Sequence, residues 1–346
     1  MSVPMNPKHI PSDGLLVTPS CITGALNPAT EVLVTRCFSQ LGIRWGMGGA
    51  EGRSQTSCCT GILFHGDVAT LETSLLVIGR LWSIAADLGF ENIVTVCVTS
   101  YAMHREAWAL YQAEPELVGR VDGWLREACG RRLVLPRQIA HASDVFWLRR
   151  NELSKHFQYR LVDQRTGRPL RVVEHVGCHY NQLFPEQSVG GVDYCDVLAG
   201  MVRDWGGEIV DYPLRRACCG MGFRQCMIQP NRGYTVANVL AKLRSMAPYD
   251  PDLILTNCPG CHEFLDREQY AVKQITGERY DIPTLSYAEL AALLLGWDPY
   301  EDVGIQSHTV PVEPLLAKIG IPFDSQREFA SRSRLRMVAT SPGRVA

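Results

Sequence analysis

Leu253-Ile254-Leu255-Thr256-Asn257-Cys258-Pro259-Gly260-Cys261-His262 is a short apolar run that ends on two cysteines. Three other stretches of the chain repeat the arrangement. Leu15-Leu16-Val17 precedes Cys21, Ile93-Val94-Thr95-Val96 precedes Cys97, and Arg171-Val172-Val173 leads to Cys178. Runs of this length, rich in β-branched residues, predict buried strands. Helical patterns separate them, as from Ala69 to Leu88 and from Tyr234 to Met246. Strand, helix, strand with continuous apolar runs predicts an α/β fold with parallel sheets. In such sheets ligands sit beyond the carboxyl ends of the strands, which is where these cysteines fall.

The cysteines also predict a duplication. In the second half Cys178 is followed by Cys218-Cys219 and then Cys258. In the first half Cys21 is followed by Cys58-Cys59 and then Cys97. Matching positions are offset by 157, 160, 160 and 161 residues. So small a drift is what loop insertions leave behind in a repeated domain. A chain of 346 residues exceeds the roughly 250–300 at which a single core stops growing, which also predicts two lobes. The expected division is a tail over 1–13, a first cysteine domain over 14–109, and a charged helical connector over 110–168 with a turn at Gly167. A second cysteine domain covers 169–320, and a Ser/Arg-rich tail follows over 321–346. The two lobes should be pseudo-symmetric.

Bulk properties narrow the function. A net charge of −2 gives no reason to expect nucleic acid or an anionic membrane surface as partner. No run of about 18 apolar residues is present to span a bilayer. Met1 to Ser20 lacks a basic start followed by an apolar block, so a secretion signal is not expected and a cytoplasmic, reducing setting is. Thirteen cysteines in 346 residues lie below the roughly 8–10 % of a disulfide scaffold, which points to metal or catalysis. Trp45-Gly46-Met47-Gly48-Gly49-Ala50-Glu51-Gly52 is glycine-rich, but Glu51 occupies the third glycine site of a dinucleotide fingerprint. A P-loop and a ferredoxin cysteine run are both absent, so no ferredoxin domain is expected in this sequence.

The adjacent cysteines decide the metal chemistry. A structural zinc takes four ligands at tetrahedral corners, usually from spaced pairs. Consecutive side chains diverge and chelate one ion poorly, whereas a cluster of several irons can use each sulfur on a different iron. Cys178, Cys218, Cys219, Cys258 and Cys261 offer five thiolates, and an ordinary four-iron cluster uses four. Either the cluster has an unusual shape or one thiol stays free and reactive, with Cys219 the candidate. In the first half the fifth position is Ser100. Cys97-Val98-Thr99-Ser100-Tyr101 stands against Cys258-Pro259-Gly260-Cys261-His262. Serine is a harder ligand than thiolate. Cys37, 16 residues after Cys21, could replace the missing thiolate, and Cys195 lies 17 after Cys178. Measured back from Gly42 and Gly206, however, the two do not align. Cys37, Cys195, Cys129 and Cys226 are therefore read as structural. Cys219-Gly220-Met221-Gly222 and Pro259-Gly260 allow close backbone approach and N–H bonds to sulfur, or simply form turns. His179, His262 and Tyr101 follow cluster cysteines and could donate protons, or cap the helices that begin there.

Glu174-His175-Val176-Gly177-Cys178-His179, Ala217-Cys218-Cys219-Gly220 and Asn257-Cys258-Pro259-Gly260-Cys261-His262 resemble the family of heterodisulfide reductase B subunits, whose unit is the cysteine-rich CCG domain. Ile282-Pro283-Thr284-Leu285-Ser286 with the apolar helix after it, and the first-half cysteines, extend the resemblance over about residues 14 to 315. The resemblance implies a noncubane four-iron four-sulfur cluster on Cys178, Cys218, Cys219, Cys258 and Cys261. It implies a related site on Cys21, Cys58, Cys59 and Cys97, with Ser100 in the fifth place, and disulfide cleavage between the two. It further implies a C-type iron–sulfur subunit and an A-type flavin subunit as partners. Relatives in bacterial sulfur oxidation act on carrier-bound sulfur, which would add a sulfur-carrier or lipoate-binding protein, and the altered first copy fits such a member. Two other readings stand beside it: a pure electron-transfer subunit of a succinate or lactate system, and a structural zinc protein.

Overall fold

The computed structural model describes residues 10–48, 59, 61, 68–183, 189–190, 195–221, 232–324 and 326, the side chains of 26 and 232–235 excepted. The expected buried strands are all present: β1 (Leu15–Thr18), β3 (Asn92–Thr95), β5 (Arg171–His175) and β7 (Leu253–Thr256). β1 and β7 are buried at every residue, as parallel strands covered on both faces must be. Two of the four, β1 and β5, each have a two-residue parallel neighbour on one side, β2 (Trp45–Gly46) and β6 (Glu208–Ile209) respectively. Beyond β3 and β7 lie β4 (Gln138–His141) and β8 (Thr284–Ser286). The two sheets run β2-β1-β3-β4 and β6-β5-β7-β8, all parallel, so one topology occurs twice.

The helices are α1 (Cys21–Leu26), α2 (Ala29–Gln40), α3 (Leu71–Asp87), α4 (Val98–Ala113), α5 (Pro115–Cys129) and α6 (Ala142–Leu153) in the first half. The second half has α7 (Cys178–Asn181), α8 (Asp196–Asp204), α9 (Arg232–Met246), α10 (Pro259–Thr276), α11 (Tyr287–Leu294) and α12 (Glu313–Ile319). Their starts follow from capping chemistry. The Ser20 hydroxyl accepts the Thr23 amide, and Ser286 forms a capping box with Glu289. His141 and Asp144 form the equivalent box at α6.

Two features differ from the sequence-based expectation. The stretch expected to be a helical connector supplies β4, the fourth strand of the first sheet, between α5 and α6. Gln138-Ile139-Ala140-His141 has no continuous apolar run, and pairing with β3 rather than local pattern makes it a strand. The lobes also share one continuous apolar cluster. Phe146 packs edge-on to Tyr287 at 4.9 Å and Tyr101 against Tyr180 at 5.5 Å, contacts worth about 0.5–1.5 kcal/mol each beyond their area. Polar contacts fix the docking: Trp147 donates to Asp196 at 3.0 Å, and Tyr180 donates to Asp144. Among the described residues no helix is long and apolar enough to cross a membrane.

Candidate metal centre

Each sheet reverses strand order between its first and third strands, and such switch points open a crevice at the carboxyl edge. In the second sheet β5 and β7 end in register at His175 and Thr256. Cys178 opens α7 just beyond β5, and Cys258 caps α10 just beyond β7, with Cys261 in its first turn. The partial positive charge of that helix start favours thiolate. Asn257 ties the two turns together, its Oδ1 accepting the Gly177 amide at 3.0 Å and its Nδ2 donating to Ser143 of the first half at 3.3 Å.

Cys178, Cys218, Cys219, Cys258 and Cys261 line one cavity with Met221, Gly260 and His179. Cys219 Sγ lies 3.2 Å from Cys261 Sγ. Gly220 sits at φ +97°, which lets its N–H reach Cys218 Sγ at 3.3 Å. The thiols perturb one another. Hydrogen bonds from Cys178 and Cys219 pull Cys218 well below the usual thiol range. The same bond to Cys218, with burial, pushes Cys178 up. Five thiols this close cannot all ionise unless a strongly cationic group joins them, and softness and number both suit an iron–sulfur cluster.

Two basic groups stand behind the sulfurs. Lys242 on α9 is buried, and its ammonium donates to the carbonyls of Leu214 and, at 3.3 Å, Arg215. Burial lowers it to about 8, while the cluster thiols hold it up. His175 lies with its ring beside Cys219 and Cys261, ligand atoms within 4.8 Å of one another, and burial keeps it neutral. Neither residue stands out in the sequence as a site residue. A lysine on the apolar side of a helix, Leu240-Ala241-Lys242-Leu243, is the available signal for the first.

The opposite wall belongs to the first half: Ile22 and the start of α4, Cys97, Val98 and Thr99. Thr99 Oγ1 is hydrogen-bonded to His179 Nδ1 at 3.0 Å. His179 therefore faces the cavity and is held from across the lobe boundary. His262 does not line it. Its Nε2 lies 3.2 Å from the Thr284 carbonyl and 3.6 Å from Glu289.

For the first copy, Cys21 is exposed at the start of α1, and Cys59 and Cys97 are buried, while Cys58 lies outside the described residues. Cys97 borders the second copy's cavity. Ser100 is buried, and its hydroxyl makes no hydrogen bond among the described residues. Tyr101 is buried against Tyr180 and His141. Cys37 is fully buried on α2, its thiol pushed up by desolvation, and Cys195 caps α8 in the core. Cys129 donates to the Leu125 carbonyl at 3.2 Å. None of these three lines the cavity; Cys226 lies outside the described residues.

Residues 172–266 match the cysteine-rich domain family designated CCG. Over 322 residues the chain is 28 % identical to the B subunit of a ferredoxin:CoB–CoM heterodisulfide reductase from Methanosarcina acetivorans, covering 91 % of this chain and 98 % of that one. The B subunit of a ferredoxin/F420H2-dependent CoB–CoM heterodisulfide reductase from the same organism is 26 % identical over 301 residues, covering 86 % and 94 %. A hypothetical protein from Helicobacter pylori has a similar fold, with a TM-score of 0.61 at 10 % identity. The match covers 90 % of this chain and 54 % of that one, so this chain spans about half its length.

Proposed function

We propose, from the premise that this chain belongs to the family of heterodisulfide reductase B subunits, that it is the sulfur-reacting component of a heterodisulfide-reductase-like complex. The carrying observation is the composite cavity. The five second-half cysteines form one side of it, and Cys97 to Thr99 of the first half close the other. Those five would hold a noncubane four-iron four-sulfur cluster, which supplies electrons and an iron to which substrate sulfur can bind. Reduction of a disulfide consumes two electrons and two protons and releases two thiols. The electrons would come from partner proteins, an iron–sulfur C-type subunit and a flavin A-type subunit, since the sequence carries no ferredoxin cysteine run.

The protein's own residues supply the rest. His179 stands on the cavity wall, and its bond to Thr99 orients the ring so that it can deliver a proton to a departing sulfur. Cys219, buried and 3.2 Å from Cys261, is a thiol closely enclosed by its neighbours, pushed up by its bond to Cys218 and by burial, and it ionises only as it takes up a ligand role. Lys242 offsets thiolate charge from behind and favours the reduced state of whatever they hold. Ser100 sets this chain apart from a symmetric two-cluster enzyme. That difference fits a substrate delivered on a sulfur carrier or lipoate-binding protein, as a persulfide or disulfide.

The test is anaerobic purification with iron, sulfide and zinc quantification, then EPR before and after adding thiols and disulfides. Iron and sulfide with a substrate-perturbed signal are expected. A signal that no thiol or disulfide perturbs leaves only electron transfer. Zinc without iron or sulfide ends the reading.

A further inference from the structure

The second half contains another convergence of metal-binding side chains, outside the cysteine cavity. His262 comes from the first turn of α10, Glu289 from the first turn of α11, and His308 from the segment after Ile305–Ser307. Each is 2 % exposed or less. One ligand atom from each lies within 4.8 Å of the other two. No motif joins them, since 19 to 27 residues separate neighbours in the sequence.

The distances separate two accounts of this triad. A buried carboxylate needs a cation, and a proton on His308 could supply it, since Glu289 outweighs burial and holds that imidazole up to about 9. A charge-assisted hydrogen bond, however, closes to about 2.7–2.9 Å. Here His308 Nε2 stands 3.4 Å from Glu289 Oε1, and His262 Nε2 stands 3.6 Å from Glu289 Oε2. His308 Nε2 makes no hydrogen bond of good geometry among the described residues. The Thr284 carbonyl lies 3.2 Å from His262 Nε2. A tetrahedral ion with N and O ligands at about 2.0–2.2 Å keeps those ligand atoms about 3.3–3.6 Å apart. Both contacts are longer than an ion pair in contact and run to different oxygens of Glu289, so a single ion would sit between the two imidazoles with the carboxylate as third ligand through either oxygen, one ligand atom from each residue lying within 4.8 Å of the others.

The surroundings hold the donors in place. Glu289 Oε2 accepts the Ser286 amide at 2.7 Å, which fixes the carboxylate. Asp266 accepts the amides of Thr309 at 2.6 Å and Val310 at 3.0 Å, which fixes the loop carrying His308. We infer that His262, Glu289 and His308, with the Thr284 carbonyl, form a structural site for a single zinc ion, separate from the cysteine centre. The ion would pin α10, α11 and the loop over 305–312 together. Through His262 it would also steady the turn that carries Cys261.

The probe is zinc itself, followed by cobalt. The full chain, purified from zinc-supplemented cells and dialysed against EDTA, should keep about one zinc per chain. Glu289→Gln and His308→Gln should each lose it while retaining iron, and the Cys218→Ser/Cys219→Ser double variant should keep it. Cobalt loaded in its place should show the visible bands of a tetrahedral ion without thiolate charge transfer, a readout that does not depend on the variants folding. The inference fails if the dialysed wild type holds no zinc, if zinc survives both Gln variants, or if the cobalt spectrum is that of thiolate ligation. Iron lost together with zinc in a folded Gln variant would also overturn the separateness of the two sites.

Discussion

After β3 the first half reads Cys97-Val98-Thr99-Ser100; after β7 the second reads Cys258-Pro259-Gly260-Cys261, on the same strand of the same topology. The first half then spends two helices, α4 and α5, reaching its last strand, where the second half uses α10 alone. At the end of that strand sit His141 and Asp144 in one copy and Ser286 and Glu289 in the other, each pair a capping box. The scaffold has been kept and the chemistry at its carboxyl edge has diverged. The second half has the full set of thiols. The first has turned Val98 and Thr99 toward its partner's cavity and become part of that site's wall.

The largest test of this inequality compares Cys219→Ala with Cys59→Ala. Cys219→Ala should lose most of the bound iron and sulfide, with lower thermal stability because metal binding and folding are coupled. Cys59→Ala should lose less than half as much. Equal losses would mean that the first copy holds a full cluster despite Ser100, and the asymmetry would be one of sequence only. Next comes Ser100→Cys. The Ser100 hydroxyl is buried without a hydrogen bond among the described residues, so a cysteine there breaks no such bond and supplies the fifth thiol of the set. Iron per chain should rise and a second EPR signal should emerge. Unchanged iron would place the first copy's deficit elsewhere.

Gly177→Ala tests the contact between the halves. Ser20, the equivalent residue at the start of α1, carries a side chain that caps its helix. Gly177 has room for none, since a Cβ would stand 2.7 Å from Val98 Cγ2 and 2.8 Å from Cys258 Cβ. Overpacking of this kind costs about 1–3 kcal/mol, so the melting temperature should fall by several degrees and the EPR line shape should change as Cys258 shifts. A variant with unchanged line shape would show that the first half does not bear on the cluster.

Much of this arrangement is legible in the sequence, and the rest is not for physical reasons. β1, β3, β5 and β7 are apolar runs in the cores of their sheets, so their composition declares them. β2 and β6 are two residues long and exist only because a neighbour pairs with them. β4 hides within an apparent connector for the same reason. The five-thiol centre is legible because its ligands follow strands in a repeated order. That Cys97 and Thr99 wall the same cavity depends on how the lobes dock, which no local pattern records. His262 has the position of a proton donor because it follows Cys261, yet one residue along a helix turns the side chain by about 100°, here away from the cavity. Lys242 and His308 become notable only once the core around them is known.

The finest test uses the two capping-box carboxylates. Both are fully buried at the third position of equivalent helices, yet they titrate in opposite directions. Burial would raise Glu289, but His262 and His308 outweigh it and hold the group at about 2. Asp144 faces Tyr180, the His141 amide and the more distant Arg105, and burial wins, lifting it to about 7 from 3.8. A carboxyl raised by folding is protonated in the native state while the unfolded chain has already ionised. Its contribution to stability is therefore fully present below about pH 4 and is lost as pH rises to about 7. Asp144→Asn removes that titration. The Asn chain should match or slightly trail the wild type below pH 5, because the amide satisfies Tyr180 less well. Above pH 7 it should be more stable by about 1 kcal/mol, once the lost hydrogen bond is set against the relieved charge. Denaturant melts at pH 5 and pH 8 decide it: a difference that does not change with pH means that Asp144 is ionised throughout, and that the two halves do not differ in how they neutralise this carboxylate.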